Sequence, residues 1–436
     1  MLDFLHCQPY WLLTGMLKNR YRYLFFGALV LTLLGCDDSI SWNNPYPQKS
    51  ALSKVLYTSF PSAVVTLDPA KAYVETGLMV LLQVDEPPLQ YHYLKRPFTL
   101  EPLILTEVPK PSYYDDSHVL LPHDVDRESI AYTSYDLHIK PGIYYASSPA
   151  FAKDTHGHYV YHHLTAKDLD DIHSLHDFHE QGKKELVAED LAYAIKRLAS
   201  PKVNSPIFGV MSEYILGLKK LRNDLKGLNK KGHFLDLRKW PLDGVKVIDD
   251  HHLRITLKGE YPQFLAWLTM GFFSPVPWEG DAFYSQPGMS ARNLTFDWFP
   301  IGTGPYQLAE HNPNLRMTLK RNPNYRLDYY PNEGSPGDAE KGYLKAAGRQ
   351  VPMLDQLTMT LEKESIPRWG KFLQGYYDAS LVTGDNFDQA IHLNDKGEAQ
   401  LSDDMKKQNI RLEVSVQPVV YYLAFNWLDP VVGGLD

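Results

Sequence analysis

Seven histidines lie between residues 156 and 179: His156, His158, His162, His163, His173, His176 and His179. Their HxH and HxxHxxH spacings suit imidazole ligation of a transition metal. The same stretch has no cysteine and is dense in charge, and a spacing of three on a polar helix is also what a solvated face gives. No metal or other cofactor is therefore assigned. The acidic doublets Asp115-Asp116 and Asp403-Asp404 sit in polar stretches and read as solvated. The chain has no Gly-x-Ser-x-Gly elbow, no His-Glu-x-x-His and no glycine-rich loop closed by Lys-Ser/Thr. Nucleophilic, metallohydrolase and phosphoryl-transfer chemistry are left without carriers, so no enzyme is expected.

One thiol does have a chemistry. Lys18, Arg20 and Arg22 precede an apolar run, Tyr23 to Leu34, which ends at Gly35-Cys36. A run of about 12 residues is too short to span a bilayer as a helix, which needs roughly 20, and the layout is that of a signal peptide over residues 1–35. Leu33-Leu34-Gly35-Cys36 resembles the bacterial lipobox, in which the cysteine receives a diacylglyceryl group. Cys36 is thus the expected lipidation site and first mature residue, placing the protein in the periplasm on a lipid anchor. Met16-Leu17-Lys18 would make a normal start, so residues 1–15 read as an over-extended one; Cys7 would then be lost, leaving no disulfide. Asp37-Asp38 leaves the choice of membrane leaflet open.

The 436 residues, 44% hydrophobic and 22% charged, supply enough apolar material for two or three domains. A net charge of −8 offers no basic footprint for a phosphate backbone, which argues against nucleic acid as a partner. Tyrosine, at 29, outnumbers phenylalanine, at 18; amphipathic rings suit a wet cleft as well as ordinary cores.

Residues 36–51 form a Pro/Asn/Ser-rich lipidated tether. Val55-Leu56-Tyr57 reads as a strand leading to the turn Leu67-Asp68-Pro69, and Glu75 to Gln83 has helical apolar spacing. Alternation predicts a strand over Tyr132 to Ile139. Leu191, Ala194, Ile195 and Leu198 define an amphipathic helix over 188–198, with acids early and bases late. Two strands joined at Asp249-Asp250, a helix from Phe264 and an alternating strand at Arg316 to Lys320 follow. Asp378 to Val382 is a further expected strand. The class is α/β.

Together, several segments resemble family 5 of the bacterial extracellular solute-binding proteins, the peptide and nickel receptors of ABC importers. The resemblance is carried by Leu67-Asp68-Pro69-Ala70 with Glu86-Pro87-Pro88-Leu89; the strand ending at Pro141-Gly142; Leu186 to Asp190 with Lys196-Arg197-Leu198; Ile301 to Tyr306 with Arg321 to Tyr325; and Tyr421 to Asn426. It implies a type II periplasmic-binding fold, multi-lobed with a hinge. Domain I would take residues 52–83 and 236–345, domain II 84–235, and domain III would start at 346 and be incomplete at 436. The family's returning segment would lie beyond Asp436, so this chain is expected to fold poorly alone.

The resemblance further implies a monomeric receptor that binds peptides and hands them to ABC permease subunits in the inner membrane. A nickel chelate or other solute, or a sensing or scaffold role without transport, are the alternatives. Tyr73, Val74 and Glu75 align with the family's cleft edge and are candidate ligand contacts; they would otherwise pack in the lobe, with Glu75 at a helix start. Thr383, Gly384, Asp385 and Asn386 are the second candidate set. Asp385 there suits an ammonium or metal-bound ligand, or simply a turn.

Overall fold

The computed structural model describes residue 46 and residues 54–228, 233–414 and 422–433. Two four-stranded sheets organise the chain. The first contains β1 (Val55–Phe60), β8 (Tyr306–Asn312), β9 (Arg316–Arg321) and β12 (Gln356–Leu361), in the order β1-β12-β9-β8. β1 runs parallel to β12, from Val55 opposite Gln356 to Phe60 opposite Leu361, and the other pairs are antiparallel. The second sheet is wholly antiparallel: β4 (Pro111–Tyr114), β5 (Tyr132–His138), β7 (His252–Lys258), β6 (Val245–Asp249). Along β7, Leu253, Ile255 and Leu257 are buried while Arg254 and Thr256 are only half-buried, the period-two signature of a sheet with one face on the core. Three hairpins complete the strands: β2 (Leu89–Tyr91) with β3 (Leu100–Pro102), β10 (Asp328–Tyr329) with β11 (Gln350–Val351), and β13 (Ile391–Leu393) with β14 (Ala399–Leu401).

Helix α1 (Glu75–Val84) lies against the first sheet, giving Val80 and Val84 to a core with Phe60, Leu67, Met317 and Met359. Helices α2 (Ala188–Leu198), α3 (Phe208–Tyr214), α4 (Leu218–Asp224), α5 (Phe264–Trp267) and α6 (Trp278–Tyr284) belong with the second sheet to a larger core that runs from Ala70 to Ile301. A third, small cluster of Trp369, Ala390, Ile391 and Met405 joins α7 (Ser365–Leu373), α8 (Phe387–Ala390) and α9 (Asp403–Lys407).

Three expectations change. Helix α2 has no solvated face: every residue but Glu189 is buried, because its charges have partners inside the protein. Residues 378–382 form no strand. Instead Asp378 alone meets the free edge of β1, its backbone N–H donating to Tyr57 O and its side chain accepting from Tyr57 N; Leu381 and Val382, unpaired, stay exposed. The sheets also run across the expected domain divisions. The second joins strands on both sides of 235/236, and β1 pairs with β12 across 345/346.

Candidate functional site

The motifs of the sequence converge on the two ends of α1. Before it, Asp68 closes the Leu67-Asp68-Pro69 turn by accepting the Ala70 N–H, and it receives both Arg197 terminal nitrogens at 2.9 Å. Both side chains are buried. After it, Glu86 takes the Arg326 guanidinium at 2.7 and 2.8 Å and the Thr303 hydroxyl at 2.9 Å. The Asp68–Arg197 fork fixes direction as well as distance, while Arg326 reaches both Glu86 oxygens through one nitrogen; each pair ties one end of the helix to an element remote in sequence. Burial alone would raise the Asp68 pKa, but the Arg197 charge and its hydrogen bonds hold it below the usual carboxylate range. At Glu86 burial prevails and its pKa is raised in spite of Arg326.

Gly302-Thr303-Gly304 presses on the last turn of α1. The Gly304 N–H donates to Val84 O at 2.7 Å, and a Cβ at Gly302 would overlap Asp85 and the Val84 carbonyl. The two glycines thus serve close backbone approach, not a phosphate cradle. Arg321 to Tyr325 completes the clasp: the Asn322 side chain donates to Gly304 O and that of Asn324 to Tyr145 O, both at 2.9 Å. Asp85 sits inside this frame with neither carboxylate oxygen hydrogen-bonded among the described residues. Burial pushes its pKa well above the ordinary value, with the Asp68 and Glu86 charges acting in the same direction.

What this frame presents is the N-terminal lip of α1. Tyr73 is 71% and Val74 51% exposed, so neither packs in the lobe. Glu75 is the first helical residue, exposed, and its side chain makes no cap. Met79 and Leu82 continue the apolar surface along the helix, and Leu82 borders Gly271, next to exposed Met270. These three were missed from the sequence. The available signal was a helix, ETGLMVLLQV, more apolar all round than one buried face requires.

The second candidate set is a turn. Asn386 is buried, its Oδ1 accepting the Thr383 N–H at 2.7 Å and its amide facing Leu381 O. Asp385 is exposed and accepts the Ser365 hydroxyl; Gly384 is exposed. No hydrogen bond, ion pair or ring contact joins this turn to Tyr73, Val74 or Glu75 among the described residues. Cys36 lies outside the described residues.

The histidines do not assemble. His162 Nε2 lies 2.9 Å from Ala150 O and its ring stacks on Tyr159, while His176 Nε2 lies 3.1 Å from Ala309 O. Among the described residues no three His, Cys, Asp or Glu side chains are placed to hold a metal ion, and no helix is long and apolar enough to cross a membrane.

Residues 178–433 match the family described as bacterial extracellular solute-binding proteins, family 5 Middle. The chain belongs to that family of solute-binding receptors, which is not an enzyme family, and has its α/β, type II periplasmic-binding fold. It is 28% identical over 141 residues to the periplasmic oligopeptide-binding protein OppA of Escherichia coli, covering 32% of this chain and 23% of that one. Over 141 residues it is 26% identical to the probable deoxycholate-binding periplasmic protein YgiS of Escherichia coli, with the same coverages. Among solved structures, the pheromone receptor PrgZ shows 16% identity and a TM-score of 0.49, over 79% of this chain and 54% of that one. Burkholderia pseudomallei OppA shows 16% identity and a TM-score of 0.47, over 77% and 48%. The matched stretch thus spans less than a quarter of the curated relatives.

Proposed function

We propose that the protein binds peptides and delivers them to an ABC importer, acting as a monomer held to the periplasmic face of a membrane by lipid on Cys36. The observation that carries this reading is the lip itself: an aromatic and aliphatic surface of Tyr73, Val74, Met79 and Leu82, kept in water on a helix clamped by two buried ion pairs. Exposed apolar surface on a rigid support marks a binding face. Tyrosine at its front suits peptides, whose side chains need tolerant, half-wet contacts and whose backbone needs hydrogen-bond partners. Asp385 is a further candidate contact, for the ligand ammonium. The names of the oligopeptide-binding relatives favour the same ligand class.

The test is thermal unfolding of the chain from Asp37 onward with di- to hexapeptide pools, deoxycholate and Ni(II)–histidine. A ligand at 100 times its Kd stabilises by about 2.7 kcal/mol. Stabilisation by peptides that Tyr73→Ala abolishes, with the free protein's melting point unchanged, is the expected result. Response to the bile acid or the nickel complex alone overturns the peptide reading.

A further inference from the structure

A cavity of about 310 Å3 opens beside the Asp68–Arg197 pair. Tyr73, Val74, Glu75, Met79 and Leu82 take no part in its walls. Its size is at the lower end of small-molecule sites, enough for a compact ligand and too little for an extended peptide. Val203, Leu235, Leu237, Tyr284 and Phe296 make one side apolar.

Six charged residues line the rest: Asp68, Lys71, Arg197, Lys202, Asp281 and Asp297. Four neutralise one another, Arg197 on Asp68 and Lys71 on Asp297 at 2.7 Å. Two are left. Lys202 donates to Ser285 Oγ at 2.9 Å and meets no carboxylate among the described residues. Asp281 accepts the Tyr193 hydroxyl at 2.7 Å and makes no ion pair within 4 Å among them, though its charge also acts on Arg197 from farther off. The two opposite charges are kept about one helical turn apart, because Ser285, which holds Lys202, bonds through its backbone N–H to Asp281 O.

We infer that this cavity binds a free α-amino acid with an apolar side chain. The ligand carboxylate meets Lys202, its ammonium meets Asp281, and its side chain lies on Leu237 and Phe296. One cation and one anion, neither in an ion pair among the described residues, and one apolar wall match the three parts of that ligand class and no single-charge ligand equally well.

Calorimetric titration of the whole chain with L-phenylalanine, 3-phenylpropionate and phenethylamine tests it. L-Phenylalanine is expected to bind one to one, and each single-charge analogue about tenfold more weakly or worse. Lys202 is exposed, so Lys202→Ala keeps the fold; it should weaken phenylalanine about tenfold and leave phenethylamine unchanged. Ala291→Trp, which fills the cavity, should abolish binding, and Tyr73→Ala should change nothing. The inference is overturned by equal affinity for all three compounds, by no saturation at about 5 mM phenylalanine, or by loss of binding in Tyr73→Ala. That last outcome would move the amino acid to the lip, and peptide binding there stands or falls separately.

Discussion

Around α1 the protein hides its charges, while over residues 362–414 it exposes them. Asp68–Arg197 is closed off from water and Glu86 is buried against a part-exposed Arg326, whereas Lys406–Asp403 and Lys407–Asp404 stand on the surface. The hydrophobic residues divide the same way. Those near α1 join continuous cores, but Trp369, Ile391 and Leu412 surround an open groove of about 1190 Å3 bounded by the free edge of β1. The two candidate contact segments inherit this contrast. Tyr73 to Glu75 projects from a clamped helix; Thr383 to Asn386 is a turn held by its own backbone, one buried asparagine and the hydrogen bond from Ser365 to Asp385. A rigid lip can hold ligand-facing groups in place before a ligand arrives, and a loosely held turn can close on it.

The contrast breaks most visibly at Arg197. Arg197→Met leaves Asp68 buried with only the Ala70 N–H and Lys71 at 3.9 Å, an expected loss of about 3–5 kcal/mol in urea unfolding, and adding Asp68→Leu should recover most of it. A loss under 1 kcal/mol would mean that the clasp is not closed to water. Next is Gly302→Ala, which forces a methyl into Asp85 and the Val84 carbonyl; about 1–3 kcal/mol should be lost in the same measurement, with the α1 lip displaced.

Asp85 gives a smaller effect of opposite sign. Its folded pKa is above the unfolded one, so between those values the folded state keeps a proton that the unfolded chain releases, and stability falls as pH rises through that window. Asp85→Asn should therefore melt higher than the wild type at pH 8 and with it at pH 3. Asp68, held low by Arg197, acts the other way and loses its stabilisation as pH falls through its folded pKa. Melting curves at the two pH values separate them, and an Asp85→Asn difference independent of pH would show an ionised or solvated carboxyl. The smallest change is at the turn. Asp385→Ala should alter stability by less than about 0.5 kcal/mol, since the carboxylate is exposed, yet weaken peptide binding measured by calorimetry.

Local pattern made much of the architecture legible. The helical spacing from Glu75, the acid-first, base-last segment 188–198, the alternation over 132–139 and the paired strands around Asp249-Asp250 all appear as elements where the sequence places them. Each is set by contacts a few residues apart, which periodicity records. The expected strand at 378–382 failed because its apolar run reads the same whether or not a neighbouring strand accepts it; β1 offers an edge, and only Asp378 takes it.

The sequence alone determined the family and the mixed class, through ordered motifs, and named Tyr73 as a candidate contact while leaving open whether it packs in the lobe. Only the tertiary structure decided that Asp68 meets Arg197 across 129 residues and Glu86 meets Arg326 across 240. It also decided that the glycines of Gly302-Thr303-Gly304 serve helix packing, and that Lys202 and Asp281 are left over beside a cavity. A charge in sequence carries no record of which opposite charge will share its burial. That pairing is fixed when cores close and water is expelled, and the groups then left without partners are those able to take a ligand.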